Sequence, residues 1–340
     1  MKLATYNVEW FNTLFDDAGR LINDGTWSSR WSVTKAQQTA ALGTVFQTMD
    51  LDAVMIVEAP DTSRHRDGTV ALETFAKTFN LRARKAIIGF DNETQQEIAF
   101  LYDPDLMDAK HAPLGDPVGK KGSRDAPRFD GAFKLDLDID ATPDVITWSK
   151  PPLEVAVTTK TGQVLHLIGV HAKSKAPHGA DSDAEATRIS IENRRKQLAQ
   201  CIWLRQRVDG HLQRGEDLIV MGDFNDGPGL DEYENLFGRS SVEIVLGEDE
   251  ALRLFDPHAR IALGRRMGAM PTTSRFKRRD EPNRNALLDY IMVSPILRDL
   301  GPHWQIWHPF DNPECYENIP LREALLLASD HFPVVIDLPL

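Results

Sequence analysis

Short apolar runs alternate along the chain with amphipathic stretches of helical spacing. Leu3 to Val8 reads as a strand, entered almost at residue 2. Ser32 is placed to cap a helix whose apolar face runs Val33, Ala36, Ala40 and Val45, with Phe46 and Met49 alongside. Ala53 to Val57 reads as a buried strand, Thr69 to Phe79 as a second helix, and Ile98 to Tyr102 as a strand stopped by Asp103-Pro104. Residues 108–128, rich in Gly, Pro and charge, read as a surface excursion. Strands are predicted at 131–139, 144–148, 153–159 and 163–170. A long helix follows from Ala184 to Arg214, with Leu198, Cys201, Ile202, Val208 and Leu212 on its apolar side. Strands recur at 217–222, 287–293 and 333–338. The polar and basic stretch 256–285 reads as a long loop, and such loops in compact domains often carry function. Many strands with interspersed helices and no linker, repeat or low-complexity segment predict one α/β domain over residues 1–340.

Composition narrows the picture. Of 340 residues, 41% are hydrophobic and 26% charged, which is ample for a large core. No run approaches the roughly 20 apolar residues that span a bilayer. After Lys2, the polar Asn7 and Glu9 interrupt any signal-like region, so a cytoplasmic protein with no membrane association is expected. Cys201 lies in a helical apolar pattern and reads as a core thiol, Cys315 in a polar loop. Two cysteines do not make a disulfide scaffold or a thiolate metal site. The net charge of −12 argues against a duplex-DNA specialist, whose affinity rests on Lys and Arg at phosphates.

The chemistry shows in where polar residues meet the strands. Asn7 and Glu9 close the first run, Glu58 follows Met55-Ile56-Val57, and His171 follows Leu165 to Val170. Asp223-Phe224-Asn225 ends Leu218 to Gly222, Ser329-Asp330-His331 precedes Phe332-Pro333-Val334, and Asp289 adjoins Tyr290 to Val293. Taken singly, each has a plain structural reading. Strand-end Asp or Asn is common in turns, Glu58 before Ala59-Pro60-Asp61 can simply end a strand, and Glu9 and Glu97 ask for least explanation. Together they are costly beside buried strands unless paired or bound to metal. Carboxylates without thiolates suit a hard cation, Mg²⁺ or Mn²⁺, able to polarise a phosphoryl oxygen and acidify water.

At this point the motifs resemble a known family. Gly222-Asp223-Phe224-Asn225-Asp226 is similar to the Gly-Asp-Phe-Asn signature of the endonuclease/exonuclease/phosphatase superfamily. Ser329-Asp330-His331 resembles its C-terminal Ser-Asp-His, and Thr5-Tyr6-Asn7-Val8 its opening strand. Glu58, His171 and Leu288-Asp289-Tyr290-Ile291 stand in the family's order, so the resemblance spans nearly the whole chain. It implies a four-layered α/β/β/α sandwich of two mixed β-sheets packed face to face with helices outside. It implies Glu58 as principal metal ligand, with Asp330 and Glu9 completing the site. Glu97, in a segment resembling one from secreted nucleases, would supply a second acid. Asn7, Asn225 and His171 would hold phosphoryl oxygens and stabilise transition-state charge. His331 would activate or orient water, held in tautomer by Asp289 or Glu97, with Asp223 competing as general base.

Lys150, in Trp148-Ser149-Lys150-Pro151-Pro152-Leu153, stands where the family usually has Arg, keeping the charge but losing bidentate geometry. Lys173 and Lys175 resemble a Lys-Ser-Lys that often follows this histidine. Arg275, Lys277, Arg278, Arg279 and Arg284 read equally as a phosphate clamp or a solvated loop. Trp27 and Trp31, in a polar loop, can stack on a ring or pack locally. The abasic-site endonucleases' Gly-Trp-Arg is replaced by Asn285-Ala286-Leu287-Leu288, and a nuclease tyrosine by Gln95 or Gln96. The inositol-phosphatase Cys-Asp-Arg and the secreted nucleases' paired cysteines are absent. The expected activity is phosphodiester hydrolysis by in-line water attack with one or two Mg²⁺ or Mn²⁺, a small or single-stranded substrate ahead of duplex DNA, and no protein partner implied. A non-specific DNA endonuclease, a small-metabolite phosphomonoesterase and an inactive phosphate- or nucleic-acid-binding module are the alternatives. The last is disfavoured because the catalytic positions carry competent residues.

Overall fold

Two mixed sheets stack face to face, and the apolar runs of the sequence are the strands shared between their two faces. The computed structural model describes residues 1–92, 94, 96–136, 144–177, 179–229, 237–264, 270–277 and 282–340. The first sheet has six strands in the order His303–Ile306 (β14), Val334–Asp337 (β15), Lys2–Asn7 (β1), Ala53–Ala59 (β2), Glu97–Tyr102 (β4) and Lys85–Ile88 (β3). The second has five, in the order Asp289–Val293 (β13), Leu218–Asp223 (β10), Val164–His171 (β9), Leu153–Thr159 (β8) and Met107–His111 (β5). Only β1–β2 and β9–β10 are parallel pairs; the other pairs are antiparallel. Two small hairpins, Phe133–Leu135 (β6) with Asp144–Ile146 (β7) and Ser274–Phe276 (β11) with Arg284–Ala286 (β12), stand apart.

Three apolar layers hold the stack. Leu3, Met55, Phe100, Leu167, Ile219 and Ile291 fill the space between the sheets. Their strand neighbours point outward: Ala4, Tyr6 and Ile56 meet helices α1 (Lys35–Met49), α2 (Gly68–Thr78) and, through Leu321 and Leu325, the helix Ile319–Ala328. On the other side Ile168, Val170 and Val220 meet Leu198, Trp203 and Leu204 of α3 (Asp183–Gln213). Strands buried on both faces read as continuous apolar runs, which is why the sequence shows them so plainly. The layers are helix, sheet, sheet, helix, as the motifs imply. No described helix is long and apolar enough to cross a membrane.

The differences from expectation are local. Thr34, not Ser32, caps α1: Thr34 and Gln37 exchange side-chain-to-backbone bonds in a capping box, while Ser32 sits at φ 58°. In this helix Gln38, Leu42 and Val45 are buried and Ala40 is exposed. The excursion at 108–128 begins with β5, an edge strand whose charged Asp108 and Lys110 face outward. The loop at 256–285 contains the helix Pro257–Gly264 and the β11–β12 hairpin, both too short for periodicity to reveal. Cys315 is buried within the helix Pro313–Glu317, against the same core as Leu321. Of the strand expected at 131–139, residues 133–135 are strand and 137–139 lie outside the described residues.

Gly169 of β9 leaves no room against the facing sheet: a Cβ there would stand 2.4 Å from Met55 Sδ and 2.9 Å from Ile98 Cγ2. Gly169→Ala is expected to destabilise the fold by about 1–3 kcal/mol through overpacking, read as a lowered urea midpoint. An unchanged midpoint would show that the sheets can separate at no cost.

Candidate active site

The central strands β1, β2, β9 and β10 all deliver a polar residue at their C-terminal ends: Asn7, Glu58, His171 and Asp223. Asn7 Nδ2 donates to Asp223 Oδ2 at 3.0 Å, joining the first sheet to the second. Asp223 also accepts from the Asn225 backbone N–H at 2.7 Å and from Asn225 Nδ2 at 3.2 Å. Asn225 adopts φ 49°, a left-handed conformation that asparagine tolerates. Before it, Gly222 is at φ 138°, where a Cβ would lie 2.1 Å from the Val170 carbonyl oxygen. Only glycine lets β10 run this close to β9, so the motif's first residue is fixed by backbone approach.

Glu58 is the extra residue of a β-bulge, at φ 59°, where the β2–β4 register shifts between Val57 and Ala59. The bulge turns its carboxylate into the cleft, where Gln96 Nε2 donates to Oε2 at 2.7 Å. Gln96 thus does what a hydroxyl could do at that place; Gln95 lies outside the described residues. Ser329 knots the two ends of the site together. Its hydroxyl donates to the Asn7 carbonyl at 2.8 Å and accepts from the Glu9 N–H at 3.3 Å and the His331 N–H at 3.2 Å. His331 Nδ1 meets Asp289 Oδ2 at 2.8 Å. His171 Nε2 lies 3.3 Å from Lys150 Nζ, 3.8 Å from Asp223 Oδ2 and 3.9 Å from Glu58 Oε1.

Asn7, Glu9, Glu58, Lys150, His171, Lys175, Asp223, Asn225, Asp330 and His331 all line one cleft of about 980 Å³. Asp289 stands behind His331. Three predicted residues are not brought in. Glu97 is buried but its carboxylate accepts from Asn92 Nδ2 at 2.6 Å and Asn92 N at 3.3 Å, because β4 enters its sheet from that turn. Lys173 lies off the cleft, where its backbone N–H is bound to Gln200. The Arg275 guanidinium lies 4.8 Å over the Phe310 ring, outside the residues that line the cleft. Arg278 and Arg279 lie outside the described residues. Sequence reasoning did not single out Arg30, which is buried and ion-paired to Glu9, nor Trp10, Arg194 and Phe276 in the cleft wall. Arg30 sits in a polar loop with no periodic signal around it.

Burial governs the electrostatics. It raises Glu9 to about 7, helped by Asp330 and opposed by Arg30. It raises Asp223 to about 7, helped by Asp289. Glu58 is also raised by burial, against the pull of Lys150. Burial lowers Lys150, against Glu58 and Asp223, and lowers His171 well below the ordinary imidazole value, helped by Lys150. Burial alone would lower His331 too, but Asp289 with Asp223 and Asp330 outweighs it, and its pKa stands well above the ordinary value.

This donor set fits a hard divalent cation. Glu9, Glu58 and Asp330 offer oxygens in one cleft, and the buried Asn7 Oδ1 and Asp289 Oδ1 have no hydrogen-bond partner. Asp223, Asp289 and His331 bring three ligand atoms within 4.8 Å of one another. A second group, His166, His211 and Glu216, also converges, but Arg214 grips both Glu216 oxygens at 2.8 Å, which makes it an ion network.

A model of the endonuclease/exonuclease/phosphatase family matches residues 4–331. The chain belongs to this family. Its members are phosphoester hydrolases that generally use divalent metals, and this family member has the acid and histidine cluster such chemistry needs. None of the curated proteins compared with it matches. Truncated Caenorhabditis elegans TDP2 superposes with TM-score 0.51 at 12% identity, covering 98% of this chain and 96% of that one. A D. rerio TDP2 humanised by 14 mutations gives TM-score 0.50 at 12% identity, covering 99% and 97%. At such identities the likeness shows the shared fold alone.

The pKa shifts set how pH and metal act on stability. Asp223 and Glu9 titrate near 7 in the folded family member but near 4 when unfolded, so the native state holds protons that the unfolded chain has lost. Their stabilising contribution is complete below pH ~4 and disappears as pH rises through about 7. That of His331 is complete below its unfolded value near 6.5 and is lost as pH rises through its higher folded value. All three have the same sign. A cation held by Glu9 would displace its proton, so the rise in Tm on adding Mn²⁺ should be larger at pH 8 than at pH 6. An increment independent of pH would remove Glu9 from the metal site.

Proposed function

We propose that this family member hydrolyses phosphodiesters by in-line attack of water, dependent on Mg²⁺ or Mn²⁺, with small or single-stranded substrates ahead of duplex DNA. The observation that carries the reading is the pairing of a buried Asp223, titrating near 7, with the Asp289–His331 couple across the same cleft. Asp223 is the general base: its pKa lies close to working pH, where a base is strong enough to take a proton yet still ionised. His331, kept protonated by Asp289, cannot act as the base and instead donates a hydrogen bond to a phosphoryl oxygen. Lys150 adds positive charge beside a neutral His171, and Asn7 and Asn225 orient Asp223. Glu58, Glu9 and Asp330 would hold the cation, which when bound polarises the phosphoryl oxygen and acidifies the attacking water.

The cleft is lined by four carboxylates, Glu9, Glu58, Asp223 and Asp330, and by four cations, Lys150, Lys175, Arg194 and Arg284, so it can receive a phosphate carrying either one negative charge or nearly two. The net charge of −12 adds to the case against duplex DNA.

Bis(p-nitrophenyl) phosphate and p-nitrophenyl phosphate should be compared with Mn²⁺, alongside nicking of supercoiled plasmid. Diester hydrolysis should exceed monoester hydrolysis, fall by about 10²–10⁴-fold in Asp223→Ala, and occur with little nicking. Faster monoester hydrolysis would make the protein a phosphatase. Hydrolysis of neither would favour a binding module.

A further inference from the structure

Of seven tryptophans in the chain, Trp10, Trp27 and Trp31 are 40%, 66% and 62% exposed, and all three fall within residues 10–31. Trp148, Trp203 and Trp307 are buried by comparison. Large rings left in water in one short segment call for a ligand.

Hydrogen bonds join the turn of Trp10, in the cleft wall, to the loop that carries Trp27 and Trp31. Trp10 lines the cleft itself, and its indole N–H donates to Glu9 Oε1 at 3.1 Å. Its backbone is left-handed, φ 59° and ψ 29°, an unfavourable conformation for a bulky residue and one that concentrates at ligand clamps. The Thr13 hydroxyl ties this turn to the next loop, meeting the Trp10 carbonyl at 2.9 Å and the Ser28 carbonyl at 2.8 Å. In that loop the Trp27 indole N–H is bound to the Arg30 carbonyl, and Arg30 is in turn paired with Glu9. Lys277 Nζ lies 5.4 Å over the Trp31 ring, closing the wall onto β11. There Phe276 lines the cleft, with its ring 5.7 Å from that of His331.

We infer that this wall is a stacking platform for unpaired nucleobases: Trp10 and Phe276 hold the base next to the reacting phosphate, and Trp31 with Lys277 holds the next base and its backbone. The inference rests on the phosphodiesterase reading for its substrate but not for its test. The N–H edges of Trp10 and Trp27 are tied inward, so these rings offer faces rather than hydrogen bonds. Recognition by faces is tolerant of base identity and is the way proteins hold single strands without reading sequence. Bases in a duplex keep their faces covered and would not reach these rings.

Binding of a short labelled oligothymidylate, of an abasic backbone of equal length and of the matching duplex should be measured by anisotropy, with Mg²⁺ present. The Asp223→Ala background keeps the strands intact. The base-bearing single strand should bind at least about 5-fold more tightly than either competitor, and Trp31→Ala should cut its advantage over the abasic strand by at least about 2-fold, leaving the part held by Trp10 and Phe276. Trp31 is exposed, so an unfolding midpoint like that of the parent serves as the check that the variant folds. Equal binding of base-bearing and abasic strands, equal binding of the duplex, or an advantage unchanged by Trp31→Ala would overturn the platform. Hydrolysis of bis(p-nitrophenyl) phosphate by the unmodified protein reports separately on the catalytic reading, so either idea can fail while the other stands.

Discussion

The hydrogen bond from Asn7 to Asp223 joins two sheets at the point where the central strands of both run out. Everything functional in this molecule is placed relative to that contact. β1 and β2 run parallel in one sheet, β9 and β10 in the other, so four C-terminal strand ends meet across it. Carboxylates crowded there would repel, and burial would make the repulsion severe. The fold answers with a few well-placed donors: the Asn7 and Asn225 amides on Asp223, Gln96 on Glu58, and Arg30 on Glu9. What these donors leave unmet, two orphaned oxygens and several acids with raised pKa, is what a divalent cation would satisfy.

Much of this was legible in the chain itself. Strands covered on both faces appear as unbroken apolar runs, so a Glu, His or Asp at the end of one stands out, and Glu58, His171, Asp223 and His331 all proved to line one cleft. The limits of legibility lie where side-chain direction decides. Glu97 opens its strand as conspicuously as Glu58 ends another, yet a bulge turns Glu58 into the cleft while Asn92 engages Glu97. Lys173 and Lys175 are two residues apart, but only Lys175 reaches the cleft, where Asp226 receives it. Arg275, equally readable as a clamp or as part of a solvated loop, has its guanidinium over the Phe310 ring. Arg30, buried under Glu9, comes from a loop whose composition suggests only exposure.

The glycine of the Gly-Asp-Phe-Asn motif shows how backbone and chemistry interlock. Gly222 does nothing chemical, but without it the two parallel strands could not close to the distance that sets Asp223 beside Asn7 and Asn225. Glu58 is placed by the opposite device, a residue too many rather than a side chain too few. In both, the placing of an acid is settled by strand geometry, and the flexible part of the side chain has little left to decide. Such a site loses little conformational freedom on taking up its ligands.

The knot made by Ser329 has a consequence for biogenesis. It ties together positions 322 residues apart, and the strand that follows it, β15, pairs with β1. Asn7 and Glu9 are therefore synthesised about 322 residues before Asp330 and His331 can join them. A ribosome-bound fragment can form sheet and helix, but it has no completed hydrolytic centre. A chain that stops short of Asp330 lacks part of its cleft however well its sheets have formed.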